Sequence, residues 1–152
     1  MNIFVTVGTT AFDALFEQCD RLAQRPDWQL TGQIADGNYH PKNFQSVRFT
    51  DDIGALCVAA DLIITHAGAG TVFELLESHK KLILVPNTTR KDPHQIEMAN
   101  YVTANRYGLV CDDLSQLEAL ILSSENFTPQ PYSKTDFFKT EEIINQINAL
   151  YR

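Results

Sequence analysis

An apolar run over residues 2–7, NIFVTV, opens the chain and breaks at the turn Gly8-Thr9-Thr10. Past the turn, Phe12, Leu15, Phe16, Cys19 and Leu22 recur at helical spacing, with Thr10 and Asp13 at the separation of a capping box in its weaker Asp form. This pattern predicts strand, turn and helix. Residues 28–34 read as a second strand, bracketed by Pro26 and the turn Asp36-Gly37-Asn38, and residues 44–49 alternate weakly enough to give a third. Helical spacing returns over 51–60 through Ile53, Leu56, Cys57 and Ala60. The apolar Leu62-Ile63-Ile64 then passes into THAGAGTVFELLE from Thr65, a strand handing over to a helix through a glycine-broken turn. Residues 81–85 form another short strand and 86–91 a loop, after which Asp92 and Pro93 supply an N-cap and a first helical position. Residues 108–111 give a last strand, and Asp112 or Asp113 caps a helix through Leu114, Leu117, Leu120 and Ile121. A Ser-, Thr- and Pro-containing stretch, 123–135, reads as a loop or arm. Over 136–151, Ile143, Ile144, Ile147 and Leu150 share one face of an amphipathic helix.

Short apolar strands alternating with helices predict an α/β fold, a Rossmann-like parallel sheet with helices on both faces and ligands at the carboxyl ends of the strands. At 152 residues the chain reads as a single domain able to bury roughly 70% of its unfolded surface. Its longest apolar runs are interrupted by Asp61 and by Lys80-Lys81, well short of the roughly 20 residues of a membrane span. The first strand begins without a basic or cleavable segment before it, so a cytoplasmic location is expected. A net charge of −7 disfavours nucleic acid and anionic lipid as general partners, so a phosphate ligand has to be met locally. The three cysteines, Cys19, Cys57 and Cys111, lie in apolar segments at no metal-ligating spacing and read as buried free thiols.

Each residue with chemical potential has two readings. Gly68 and Gly70 either permit a tight strand-to-helix turn or let backbone N–H groups approach an anion. The spacing is neither a dinucleotide fingerprint, because Phe73 takes the third glycine position, nor a P-loop, because no GK[ST] follows. Glu74 stands three residues after Thr71, so it either folds back as a capping-box carboxylate or accepts from both hydroxyls of a ribose. Gln95 has the same ambiguity after Asp92. His94 is a surface residue or a ligand contact, and Arg90-Lys91 is a solvated loop pair or a basic doublet for a diphosphate beside a helix N-terminus. His66 is a packed or turn-bonding residue in one reading and a catalytic one in the other. No metal set and no nucleophile elbow is present in the sequence pattern.

The segments FVTVGTTAFDAL, DLIITHAGAGTVFELL and LILVPNTTRKDPHQIEMANYV, taken in order over roughly residues 3–103, resemble the glycosyltransferase family 28 C-terminal domain. Within it they are similar to the small catalytic subunit of a two-part UDP-N-acetylglucosamine transferase of lipid-linked oligosaccharide synthesis, and to bacterial exopolysaccharide relatives. The resemblance implies the donor-binding half of a GT-B enzyme. It implies that Glu74 holds the ribose of UDP, that Gly68, Ala69, Gly70 and Thr71 approach the nucleotide, and that His94 and Gln95 contact the donor sugar or its phosphates. Gly8, Thr9 and Thr10 correspond to a glycine-rich loop near the diphosphate, and Asn87 lies in a loop facing the donor. An inverting transfer of a hexose or N-acetylhexosamine to a polyprenyl-linked saccharide follows, with a UDP-sugar as donor and no metal or other cofactor required. The larger single-chain members carry an acceptor domain with no counterpart in these residues. A heteromeric complex is therefore expected, in which a membrane-anchored partner brings the acceptor and recruits the chain to the cytoplasmic face, the segment 136–151 serving for docking or for packing on its own sheet. A non-catalytic, nucleotide-sugar-binding or stabilising subunit is the alternative.

Overall fold

The computed structural model describes residues 1–88 and 93–134. Arg90, Lys91, Asp92 and the helix expected over 136–151 lie outside the described residues. Six strands, β1 (Asn2–Thr6), β2 (Gln29–Gln33), β3 (Gln45–Val47), β4 (Leu62–His66), β5 (Lys81–Val85) and β6 (Leu109–Val110), form one sheet in the order β3-β2-β1-β4-β5-β6. All five pairings are parallel. The helices are α1 (Asp13–Leu22), α2 (Ile53–Ala59), α3 (Ala69–Glu77), α4 (Pro93–Ala104) and α5 (Leu117–Ser124). The fold is thus the Rossmann-like parallel sheet that alternating apolar runs predict.

Because both faces of the sheet are covered, the central strands carry apolar residues at successive positions instead of alternating. Ile3, Val5, Ile64 and Ile83 face one way, where Leu15, Phe16 and Cys19 of α1 and Leu117 and Ile121 of α5 meet them. Phe4, Ile63, Leu82 and Leu84 face the other way and pack on Val72, Leu75 and Leu76 of α3 and Val102 of α4. The short α2 buries no residue fully; Ile53, Leu56 and Cys57 only border this second core. The chain leaves β1 for β2 on one side and returns to β4 on the other. The strand order therefore reverses between β1 and β4, and the crevice above their carboxyl ends is the topological switch point where such sheets bind ligands.

Two local expectations need correction. Thr10 and Asp13 do not form a capping box: α1 starts at Asp13 behind Phe12, with no side-chain cap bond. Thr10 instead closes a turn with its N–H on Val7 O at 3.1 Å, and Asp13 Oδ1 accepts from the N–H groups of Asn38 and Tyr39 at 2.9 and 3.2 Å. Two turns further along α1, Asp20 Oδ1 accepts from Lys42 N and Asn43 N at 2.9 and 2.7 Å, and its other oxygen from the Tyr39 hydroxyl at 2.8 Å. The β2–β3 connection is accordingly a strap lashed along α1 by two carboxylates, where a helix is usual. Burial pushes the Asp20 carboxyl upward, but the Asn43 and Lys42 amides and the Tyr39 hydroxyl outweigh it and hold the group below its ordinary range. At the other end, the helix expected behind Asp112 or Asp113 divides into a 3₁₀ turn, Leu114–Gln116, and α5. Asp113 is the cap, accepting from Ser115 N at 2.9 Å. The stretch after α5 runs back across the α3–α4 face, where Gln130 N donates to Arg106 O at 2.9 Å and the Tyr132 ring meets Phe73 and Tyr107.

Candidate functional site

Two turns meet at the switch point. The first follows β1: Gly8 has φ +60°, a left-handed conformation that favours glycine, and sits second in the turn closed from Val7 to Thr10. The second follows β4, where His66 ends the strand and Gly68 precedes α3. The His66 ring, only 8% exposed, lies between them. A Cβ on Gly8 would stand 3.1 Å from His66 Cε1 and 3.3 Å from Thr71 Oγ1, and one on Gly68 would collide with His66 Nε2. Packing against this ring therefore explains both glycines. Gly70 is different. It lies in the first turn of α3 and a Cβ there would meet nothing within 4 Å. Gly54, in the first turn of α2, is equally open.

The capping reading of Glu74 fails on the start of the helix. Gly68 is the N-cap and Ala69 the first helical residue, so Thr71 and Glu74 are both inside α3, and no side chain caps it. The carboxylate of Glu74 is exposed. It borders a cavity of about 250 Å³ between α2 and α3 that Thr6, Ile53, Gly54, Cys57, Thr71 and Leu75 also line. Burial raises the Cys57 thiol above its ordinary range, the Glu74 charge adds to this and Lys80 partly offsets it. Of the cavity residues, the sequence pattern marks only Thr71 and Glu74 as site candidates; it reads Ile53 and Cys57 as the apolar face of a helix and does not single out Thr6, Gly54 or Leu75. The available signal is Gly54, a glycine at the start of a helix that no neighbour requires.

The remaining expected residues lie around the same sheet edge or outside the described residues. Thr9 and Ala69 are exposed at the two turns. Asn87, 4% exposed, follows β5, which pairs with β4 as far as His66 and Val85. Its N–H donates to Oε1 of the buried Gln95 at 2.9 Å, which ties this loop to the first turn of α4. His94 is exposed, with Nδ1 3.2 Å from Glu97 Oε2. The turns of β1 and β4, the N-terminus of α3 and the Glu74 cavity thus come together, with Asn87 and Gln95 one strand away. Backbone N–H groups at the first turn of α3 favour an anion there, by about 0.3–1 kcal/mol for an exposed site. Glu74, six residues into α3, offers two acceptor oxygens to vicinal hydroxyls beside an apolar recess.

Among the described residues, no group of three His, Cys, Asp and Glu side chains is placed to hold a metal. No helix among them is long and apolar enough to cross a membrane.

The architecture is that of the C-terminal half of GT-B glycosyltransferases. It superposes on the crystal structure of Acinetobacter baumannii MurG with a TM-score of 0.71 at 21% identity, covering 98% of this chain and 52% of that one. An NMR structure of ALG13 matches over 93% of this chain and 94% of that one, with a TM-score of 0.62 and 19% identity. Residues 2–147 match the model of the glycosyltransferase family 28 C-terminal domain, and the chain belongs to that family. It is 34% identical over 121 residues to the mouse UDP-N-acetylglucosamine transferase subunit ALG13, spanning 71% of this chain and 10% of that protein. To the Yarrowia lipolytica protein of the same name it is 30% identical over 135 residues, 74% of this chain and 69% of that one. A Prochlorococcus marinus UDP-N-acetylglucosamine–N-acetylmuramyl-(pentapeptide) pyrophosphoryl-undecaprenol N-acetylglucosamine transferase is 30% identical over 94 residues, 26% of its length. The chain is therefore a glycosyltransferase-family domain related to UDP-N-acetylglucosamine transferase subunits, and it corresponds to a minor part of the mouse and Prochlorococcus proteins.

Proposed function

We propose that this chain is the catalytic, UDP-sugar-binding subunit of an inverting glycosyltransferase that passes a hexose or N-acetylhexosamine to a polyprenyl-linked saccharide, in polysaccharide or lipid-linked oligosaccharide synthesis. The observation that carries the reading is Glu74, a carboxylate free of any capping role that faces a cavity next to the glycine turns of the switch point. The names of the relatives support UDP as the nucleotide.

In this reading the base occupies the recess between α2 and α3, and Glu74 accepts from the ribose hydroxyls, each charge-assisted bond contributing about 1.5–3 kcal/mol. The diphosphate lies over Gly8, Thr9, Thr10 and the start of α3 from Gly68 to Thr71. There the helix N-terminus and the basic pair Arg90-Lys91 stabilise the charge that develops on departing UDP. His66 shapes the pocket as a packed ring; it faces both turns, and a role in transfer is the minor reading. The sugar reaches toward Asn87, His94 and Gln95. No metal or other cofactor is needed, because positive ends of the protein meet the leaving group. The acceptor hydroxyl and the base that takes its proton come from a membrane-anchored partner, with the active site between the two chains at the cytoplasmic face.

Membranes from cells lacking this chain, supplied with labelled UDP-N-acetylglucosamine or UDP-glucose, should transfer sugar to polyprenyl-linked acceptor only when the purified chain is added back. A Glu74→Ala chain should not restore transfer. Full restoration by Glu74→Ala refutes the catalytic reading and favours a stabilising subunit, and full transfer without the chain refutes both.

A further inference from the structure

Near the carboxyl edge of the sheet, one row running across three neighbouring strands is both polar and buried. Gln33 of β2, Thr6 of β1 and Thr65 of β4 stand in register side by side, Thr6 pairing with both neighbours. In a parallel sheet such partners share a face, and Thr6 lines the Glu74 cavity from that face. All three residues are buried, at 5%, 1% and 0% exposure. Placing amide and hydroxyl groups in a core costs stability unless each is bonded. Here the cost is only partly offset: among the described residues, Gln33 Oε1 and Thr65 Oγ1 have no hydrogen-bond partner. Such an arrangement calls for a reason other than stability.

The bonds the row does make converge on one residue. Gln33 Nε2 donates to Gly8 O at 3.0 Å, and Gly8 N donates, at a long 3.5 Å, to Thr6 Oγ1. Gly8 is the left-handed residue of the β1 turn, where the next peptide plane can turn either way at little cost. The peptide between Gly8 and Thr9 is trans, so its C=O and N–H point in opposite directions. Holding the carbonyl inward on Gln33 presents the Thr9 N–H outward, from an exposed residue, and that N–H has no acceptor among the described residues.

We infer that Gln33 is a positioning residue: by fixing the Gly8 carbonyl it aims the Thr9 N–H at the outer phosphate of the nucleotide diphosphate. The inference rests on the nucleotide reading given above. Gln33 itself touches no ligand. Its side chain sets one donor of the phosphate cradle in advance, which lowers the ordering that binding would otherwise require.

The test is calorimetric titration of UDP and of UMP into the wild-type chain, Gln33→Met and Gln33→Glu. Methionine keeps the length of the side chain and removes the donor. It should weaken UDP about tenfold, the size of one lost hydrogen bond, and leave UMP within about twofold. Glutamate places a carboxylate against the Gly8 carbonyl and should weaken UDP at neutral pH. Burial raises its pKa, so acidification toward about pH 5 restores the donor and with it the preference for UDP over UMP. A purely structural role would lower both ligands together and leave the ratio of UDP to UMP affinity unchanged at either pH. Equal losses, or no loss in either variant, overturn the inference. A wild-type chain that binds neither nucleotide overturns the nucleotide reading as well, and so separates the two failures.

Discussion

Replacing Gly54 and Gly70 together by alanine tests whether the open space over α2 and α3 belongs to a ligand. Glycine within a helix costs about 0.5–1 kcal/mol relative to alanine, chiefly through backbone entropy. A Cβ at either position meets nothing within 4 Å, and neither residue has the positive φ found at Gly8. Nothing in the fold opposes the substitution. With some discount for first-turn positions, the pair should gain about 1 kcal/mol, raising the melting temperature by roughly 2–4 °C at this chain length. Gly54 lines the cavity that Glu74 borders, so in the same variant a base packed against that wall would meet the added methyl. Overpacking of that kind costs about 1–3 kcal/mol, so UDP affinity should fall by about tenfold or more. Thermal unfolding with and without UDP reads both effects on one sample. A lowered melting temperature of the free chain would show that the fold requires the glycines, and an unchanged UDP affinity would show that nothing binds against them.

Cys57 lines the same cavity and its thiol is raised by burial and by the Glu74 charge. Its alkylation by iodoacetamide should be slow at neutral pH, quicken as pH rises toward about 9, and be slowed by UDP; peptide mapping of the labelled site measures this. Cys111, pushed up to about 11 chiefly by burial and then by Asp113 and Asp112, should stay unlabelled in the native chain under the same conditions. Asp20→Ala removes the acceptor for the Lys42 and Asn43 amides and the Tyr39 hydroxyl. It should cost about 2–4 kcal/mol in urea unfolding, because three donors are left on the strap. Since the folded pKa of Asp20 lies below its ordinary value, this contribution is complete above about pH 4 and is lost as pH falls through the folded value. The gap between wild type and variant should therefore narrow in acid.

The centre of the sheet was legible because β1, β4 and β5 are short, apolar and buried on both faces, which leaves the same trace in any sequence. The glycine turn after β4 was legible for a related reason, standing where an apolar run changes to helical spacing. The state of Glu74 was not. Thr71 and Glu74 have capping-box spacing, and only the start of α3 at Ala69 places both inside the helix. Gly68 and Gly70 look alike in sequence, yet one is demanded by the His66 ring and the other by no neighbour. Asp13 has the spacing of a capping box and Asp20 looks like an ordinary polar position of α1, because the partners of both are backbone amides of a strap 22 to 26 residues further along the chain. Gln33 was hidden at the end of a strand, where a polar residue usually means exposure. Its meaning depends on register with Thr6 and on the Gly8 carbonyl beside it.

The central claim is that Glu74 grips the ribose of UDP, and a cycle combining protein and ligand changes measures it most directly. UDP and 2′,3′-dideoxy-UDP are titrated into the wild-type and Glu74→Ala chains by calorimetry. Removing the carboxylate or removing the hydroxyls should each weaken binding by about a hundredfold, and removing both should cost little more than either alone. Losses that simply add, or a Glu74→Ala chain that binds UDP as the wild type does, would contradict the account.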